Sequence, residues 1–313
     1  MAIKHADIKV SGDRGYASEW NKDHVIEESS KAKRSVTLIV AASDSLDKTK
    51  ADYVCDGVND EAEIGTALSS LNVTGGEVLL LDGTYNIENV ITITKANTTL
   101  CGMGRNTILY STTTDYIIST TGVDNIIIEK ICFKGPVSGI YLNSSYITIR
   151  ECFFVDLVTS IYALWANDFI VDGCFFLTTG TGINAMRSIY RMIVKENIYE
   201  NCEYGVLSAG KNSVISDNVF KSCNEAIMLT WLVGGANDST VTGNVCEGGD
   251  KGIQLAMNSD RNIITGNNCR GQSTSSISIE DSSCENNVIH GNIHQTAIVD
   301  SGTNTQKWDN YQI

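Results

Sequence analysis

The sequence lacks any excess of positive charge: 23 lysines and arginines face 37 aspartates and glutamates, which gives a formal net charge of −14. Nucleic-acid binding depends on a basic patch or stripe, so this composition argues against a nucleic-acid partner. An acidic surface also repels polyanionic chains unless a local cationic groove overcomes the repulsion.

Long apolar runs are missing as well. No segment reaches the roughly 18 apolar residues that a membrane span needs, so we expect no membrane insertion. Residues 1–35 are polar and lack the apolar core of a secretory signal. We therefore expect no signal peptide and synthesis in a reducing cytoplasm, where the ten cysteines would stay free thiols.

Motifs that bind cofactors or metals are also absent. The sequence holds no glycine-rich phosphate loop, no Cys/His cluster of metal-binding type and no nucleophile elbow. The histidines lie near the two ends, at His5, His24, His290 and His294. We therefore predict neither a cofactor nor a metal site.

The sequence does contain a repeat. Eight strand-like segments align from Ile126 onward, and each is followed by a second short strand that begins with a small residue and an aliphatic one. The sixth positions of the first segments, at steps of 21 to 26 residues, are Ile131, Cys152, Cys174, Asn197, Asn218, Asn244, Asn267 and Asn292. With one proline and many turn-forming residues, this step predicts an all-β fold, a right-handed single-stranded parallel β-helix of about 10–11 coils.

Stacking of the coils gives each repeat position a physical meaning. Equivalent residues on adjacent coils lie about 4.8 Å apart, the spacing of neighbouring strands. The five asparagines from Asn197 to Asn292 are therefore predicted to form a ladder of side-chain amides. A second column is predicted to form an aromatic stack inside the coils: Phe133, Phe154, Phe176, Tyr199 and Phe220.

A short amphipathic helix is predicted before the first coils. Asn59-Asp60 is expected to cap it, and its apolar face consists of Ile64, Ala67, Leu68 and Leu71. Such a helix would cover the open end of the solenoid, which otherwise exposes unpaired backbone groups.

The run SVTLIVAASDSLDKTKADYVCDGVNDEAEIGTALSSL, followed by TGGEVLLLDGTYNI and TTLCGMGRNTILY, resembles the opening of pectate-lyase-like parallel β-helix proteins. The resemblance implies a β-helix over residues 36–300, between a leader (1–35) and a C-terminal tail (301–313). It leaves function open, because this superfamily holds lyases, hydrolases, epimerases, adhesins and spacers. The superfamily's calcium-site, Gly-His-Gly and Asp-Pro-His motifs are absent here.

A second resemblance concerns GDRGYASEWNKDHVI at residues 12–26, which is similar to the N-terminal peptides of phage and prophage tail proteins. It implies that residues 1–35 attach the protein to a virion baseplate or tail. The alternative is an ordinary leader whose Trp20 packs on the first coil.

Two carboxylates are candidate catalytic residues. Glu196 and Asp217 occupy the same outward position on consecutive coils, and inverting glycoside hydrolysis needs two carboxylates roughly 6.5–9.5 Å apart. Stacking would also raise the pKa of one of them, as a catalytic acid requires. The alternative is a solvated sheet face, because the neighbouring column of Arg150, Asp172 and Lys195 alternates in charge as cross-strand pairs do.

The second strands of the repeat provide a candidate substrate-binding surface. Aromatic rings stack on sugar faces, and arginine and asparagine bind hydroxyl groups, so we predict a carbohydrate platform composed of Tyr141, Tyr162, Trp165, Asn184, Arg187 and Trp231. The same face carries Leu207, Met228, Leu232 and Met257. An exposed apolar stripe often marks an interface, so a homotrimer through this side of the helix is the competing interpretation.

These observations favour a virus or prophage tail-associated β-helix that binds a cell-surface polysaccharide, with depolymerisation left open. Such a protein would act in the virion or extracellularly after release. The first alternative is a free-standing polysaccharide lyase, glycoside hydrolase or epimerase. The second is a structural adhesin or spacer without glycan affinity.

Overall fold

The computed structural model describes residues 37–187, 189–230 and 235–313. The tail-protein-like peptide at 12–26 and the platform and stripe residues Trp231 and Leu232 lie outside them. No helix within the described ranges is long and apolar enough to cross a membrane.

Three parallel sheets run the length of the described chain. Sheet one consists of β1 (Thr37–Ala41), β2 (Tyr53–Val54), β3 (Gly76–Leu80), β6 (Thr98–Cys101), β9 (Ile126–Glu129), β12 (Ile147–Arg150), β15 (Phe169–Asp172), β18 (Ile193–Lys195), β21 (Val214–Ser216), β24 (Thr240–Thr242), β27 (Ile263–Thr265), β30 (Val288–His290) and β33 (Gln306–Trp308). Sheet two consists of β4 (Gly83–Asn86), β7 (Thr107–Tyr110), β10 (Cys132–Lys134), β13 (Phe153–Val155), β16 (Phe175–Leu177), β19 (Ile198–Glu200), β22 (Val219–Lys221), β25 (Val245–Glu247), β28 (Asn268–Arg270), β31 (Ile293–His294) and β34 (Tyr311–Gln312). Sheet three consists of β5 (Ile91–Ile93), β8 (Tyr116–Thr121), β11 (Ser138–Asn143), β14 (Thr159–Ala163), β17 (Thr181–Ala185), β20 (Tyr204–Ser208), β23 (Glu225–Leu229), β26 (Lys251–Leu255), β29 (Ser275–Ile279) and β32 (Ile298–Asp300).

From β3 onward, each coil contributes one strand to each sheet in turn, and each strand pairs in parallel with its counterpart one coil away. The first two strands, β1 and β2, both belong to sheet one and pair in parallel with each other. The predicted parallel β-helix is therefore confirmed, with about ten turns and one short helix in the described chain. Successive side chains alternate between the interior and the surface, so the solenoid encloses one continuous apolar core.

The interior aromatic stack is confirmed. From Phe133 to Phe220, neighbouring ring centroids lie 4.4–5.1 Å apart and the ring planes are within 10° of parallel. Cys246 and Cys269 continue the same column toward the C-terminus. The column keeps its inward direction because the strands remain in register from coil to coil.

The asparagine ladder is confirmed and extends one coil further, to Asn310. The Nδ2 group of each asparagine from Asn197 to Asn292 donates to the Oδ1 atom of the next at 2.9–3.0 Å. The backbone amide of each also donates to that Oδ1 atom at 3.0–3.1 Å. The ladder therefore satisfies buried polar groups at the turn between sheets one and two.

The predicted helix is α1 (Glu61–Ser70), and it packs its buried residues Ile64, Ala67 and Leu68 against the first strands. One detail of the prediction was wrong. Asp60 stands at the N-cap position, but its side chain does not cap the helix. Its two carboxylate oxygens instead accept bonds from the backbone amides of Gly57 and Asn86, each at 2.8 Å, which tie the helix entry to sheet two.

The segment expected to be a C-terminal tail, residues 301–313, contains β33 and β34. These strands pair with β30 and β31, the preceding strands of sheets one and two. The repeat continues because Asn310 takes the ladder position there and donates to the carbonyl of Ile289 at 3.0 Å. The solenoid therefore extends to Gln312.

Candidate functional site

The candidate site is the outward surface of sheet three, which we call the sheet-three face. One of its columns consists, coil by coil, of Tyr141, Tyr162, Asn184, Leu207, Met228, Gln254 and Ser278. Most of these side chains are half-buried, whereas Gln254 and Ser278 are buried. The column therefore passes from aromatic residues to polar residues through two apolar ones.

Three tyrosine rings form a cluster at the N-terminal part of this face. The ring centroids of Tyr141 and Tyr162 lie 6.0 Å apart, and the ring of Tyr116 lies 4.9 Å from the first and 6.2 Å from the second. Burial, and then the two neighbouring tyrosines, raise the pKa of Tyr116. The sequence analysis missed Tyr116, which lies one coil before the aligned second strands and in register with Ser138.

Two further platform residues follow strands of sheet three. Trp165 follows β14 and has 51% of its surface exposed. Arg187 follows β17 and is also exposed. The structure thus places five of the six predicted platform residues on or beside the sheet-three face, and Trp231 lies outside the described residues.

A second outward column on the same face centres on Glu225, which the sequence analysis also missed. Tyr204, Glu225, Lys251 and Ser275 stand in register on consecutive coils. Burial is the main cause that raises the pKa of Glu225, and its Oε2 atom is buried without a hydrogen-bond partner. Lys251 lies 3.3 Å from Glu280 Oε1, which also accepts a bond from Ser278 Oγ at 2.8 Å.

The predicted catalytic pair lies elsewhere, at the corner between sheets one and two. Glu196 and Asp217 both have left-handed backbone conformations, with φ of 57° and 56°. The next coils place Gly243 and Gly266 at this corner position, with φ of 67° and 65°. The position therefore favours residues that tolerate the left-handed region, and the structure does not bring the pair together with the tyrosine cluster.

The charges beside this corner are paired across strands. Lys195 Nζ lies 2.9 Å from Asp172 Oδ2 and 3.4 Å from Glu196 Oε1. Its bond with Asp172 is the main cause that raises the pKa of Lys195. Arg150 pairs with Glu129 one coil earlier. This arrangement is the alternating cross-strand pairing of a solvated sheet.

The three stacked sheets, the inner ladder and the helix at the N-terminal end define the class of fold, a parallel β-helix of about ten turns. Sequence comparison adds a match of residues 101–232, less than half of the chain, to the family model described as "Periplasmic copper-binding protein (NosD)".

Solved structures share the fold at low sequence identity. ORF18 of Geobacillus virus E2 is 18% identical with a TM-score of 0.58, and the match covers 80% of this chain and 57% of the virus protein. DFA-IIIase from Arthrobacter chlorophenolicus A6 is 12% identical with a TM-score of 0.67, and the match covers 88% of each chain. The Dettilon tailspike protein is 13% identical with a TM-score of 0.54, and the match covers 82% of this chain and 62% of the tailspike. At identities this low, the matches show a common fold and nothing about function.

The description of the matched family names copper, so we compared the residues of the matched segment with the side chains that bind copper. Proteins bind copper through histidine, cysteine and methionine, but residues 101–232 contain no histidine, and their cysteines apart from Cys101 are buried. Within the described chain, one group of three Cys, His, Asp or Glu side chains brings its ligand atoms within 4.8 Å of one another: Cys55, Asp60 and Glu63. It lies outside the matched segment, so no such group of Cys, His, Asp and Glu side chains supports a copper site in the described part of residues 101–232.

Proposed function

We propose that this protein binds a polysaccharide along the sheet-three face. The observation that carries the proposal is the cluster of Tyr116, Tyr141 and Tyr162 on this face, together with the half-exposed Trp165 that follows β14. Aromatic rings offer flat apolar surfaces with a polar edge, which suit the faces and hydroxyl groups of a sugar. The parallel strands repeat these positions about every 4.8 Å, so a long chain can contact several coils.

The finer proposal is a virus or prophage tail-associated protein that binds a cell-surface glycan. Its support is the likeness of fold to a virus protein and a tailspike, together with the tail-protein-like peptide in residues 12–26. Attachment through residues 1–35 and a homotrimer through Leu207, Met228 and Met257 remain predictions.

Cleavage of the glycan is a separate proposal. Polysaccharide lyases and an epimerase also share the fold, which keeps a free-standing enzyme as the alternative. The predicted pair Glu196 and Asp217 lies at a different edge from the tyrosine cluster. A glycan on the sheet-three face would therefore not meet both, and we assign binding rather than cleavage to that face.

Replacing Tyr162 or Trp165 with alanine is expected to weaken glycan binding by about ten- to a hundredfold, because each change removes an aromatic contact at the centre of the surface. Titration calorimetry against purified bacterial surface polysaccharides measures this affinity. The control is Tyr311→Ala, which removes a tyrosine that is 62% exposed on sheet two. Unchanged affinity in both platform variants would contradict the proposal.

A further inference from the structure

Four unpaired oxygen atoms are concentrated on the sheet-three face. In the described chain, nine buried side-chain oxygen atoms have no hydrogen-bond partner, and four of them belong to outward positions of this sheet. They are Asn184 Oδ1, Glu225 Oε2, Gln254 Oε1 and Ser275 Oγ. A buried polar group that stays unpaired has lost its hydrogen bonds to water without compensation, so a ligand that donates hydrogen bonds here would be bound more tightly.

Gln254 is the clearest of the four. Only 5% of its surface is exposed, although it occupies an outward position between Met228 and Ser278. An amide oxygen can only accept a hydrogen bond, and so can the Oδ1 atom of Asn184 in the same column. Groups that donate, such as sugar hydroxyls, can therefore pair with these two oxygen atoms, whereas an ionised carboxylate cannot donate to them.

The charge of the neighbouring column favours the same ligand. Asp250, Glu280 and Glu203 act with burial to raise the pKa of Glu225, while Lys251 opposes them. Lys251 is itself 3.3 Å from Glu280. A chain of uronic acids would bring further negative charge to these carboxylates, and the cation of this column, Lys251, is already paired with Glu280.

We propose that the sheet-three face from Asn184 to Ser275 binds a neutral, hydroxyl-rich glycan and discriminates against polyuronate chains. The inference rests on the proposed function and names its ligand class. The surface spans five strands of sheet three, β17 to β29, or about 19 Å at the spacing of neighbouring strands. The tyrosine cluster precedes it on the same face, so one glycan chain can stack on the rings and donate its hydroxyls to the polar columns.

Affinities for two panels of oligosaccharides test this inference. The neutral panel contains dextran, mannan, xylan and inulin fragments, and the polyuronate panel contains alginate and polygalacturonate fragments. We expect a member of the neutral panel to bind at least tenfold more tightly than any polyuronate. Its affinity should change less than twofold between 20 and 200 mM salt, because binding of a neutral chain does not depend on screened charge.

A matched pair of variants locates the site. Gln254→Met keeps the length of the side chain and removes the acceptor, so affinity for the neutral glycan should fall about tenfold. Asn268 provides the control, because its Oδ1 atom is also buried and unpaired but faces outward from sheet two. Asn268→Leu should leave affinity unchanged. Asn184→Leu repeats the test on another coil, and thermal melting verifies that each variant is folded.

The outcomes separate this inference from the proposed function. Tighter binding of a polyuronate, weakened by salt, would overturn the ligand class and leave glycan binding intact. Equal affinity of the folded Gln254→Met and Asn184→Leu variants with the parent would overturn the site. Absence of binding to either panel and to bacterial surface polysaccharides would overturn both proposals together.

Discussion

Replacing Asn218 with alanine is expected to lower the free energy of unfolding by about 3–5 kcal/mol. The side chain donates to Asn244 Oδ1 at 2.9 Å and to the carbonyl of Val194 at 3.0 Å. Its own Oδ1 atom accepts two bonds from Asn197, each at 3.0 Å. Alanine removes all four bonds. The backbone amide of Asn197 is then left buried without its acceptor, at a cost of about 1–3 kcal/mol, whereas Asn244 Oδ1 keeps its bond from the backbone amide of position 218 and Asn197 Nδ2 keeps its bond to the carbonyl of Val171. Each further lost bond contributes about 0.5–1.5 kcal/mol.

Urea denaturation followed by circular dichroism measures this loss. Asn224→Ala is the control, because Asn224 is exposed in the connection between β22 and β23 of the same coil, and it should change stability by less than about 0.5 kcal/mol. Equal effects of the two substitutions would show that the ladder contributes little to stability.

Replacing Gly182 with alanine is expected to lower the free energy of unfolding by about 2–3 kcal/mol. A Cβ atom at this position would lie 2.5 Å from the carbonyl oxygen of Gly205 and 2.7 Å from the ring of Tyr199. Both are fixed, the first by strand pairing and the second by the aromatic stack, so relief requires a shift of the coil. This contact explains why the second strands begin with small residues.

Gly65→Ala is the matched control for that substitution. Gly65 lies within α1, and no atom outside its own helix lies within 4 Å of the Cβ that alanine would add. Alanine favours helix over glycine by about 1 kcal/mol, so this variant should be as stable as the parent or more stable. Thermal and urea denaturation of the two variants measure the contrast. A Gly182→Ala protein of parental stability would contradict the packing of the second strands against the stack.

The repeat made the interior predictable. A ladder or a stack requires the same residue once per coil, so the spacing of Asn197, Asn218 and Asn244 indicates both the coil length and the inward direction of the side chain. The small residue before each aliphatic one likewise recurs once per coil, and it indicates the position and the inward direction of the second strands. These features depend on one column at a time, and a column can be identified in the sequence.

The surface was less predictable because it depends on several columns at once. Glu225 aligned with its neighbours in the sequence, but the environment of its unpaired oxygen depends on burial and on the charges of Lys251 and Glu280 from later coils. The apolar stripe was expected on sheet three. Sheet two carries a longer one in register, which consists of Phe153, Phe175, Ile198, Val219 and Val245. In strands of three residues the sequence pattern does not distinguish this outward column from the core.

Arg105 is another surface residue whose contacts could not be predicted from the sequence. Its guanidinium lies 4.5 Å from the centroid of the Phe153 ring and 5.4 Å from that of Phe175, on the outside of sheet two. The contact joins a connection in an early coil to strands two and three coils later. Cation–π contacts between residues so far apart in sequence follow from the stacking of the coils, and no local sequence pattern predicts them.

The central claim is that the sheet-three face is the ligand-binding surface of this β-helix. A crystal structure of the protein with the tightest-binding oligosaccharide tests it most directly. The account predicts sugar rings stacked on Tyr116, Tyr141 or Tyr162 and hydroxyl groups within hydrogen-bond distance of Gln254 Oε1 or Glu225 Oε2. Sugar bound instead on sheet two, or at the corner that carries Glu196 and Asp217, would contradict it.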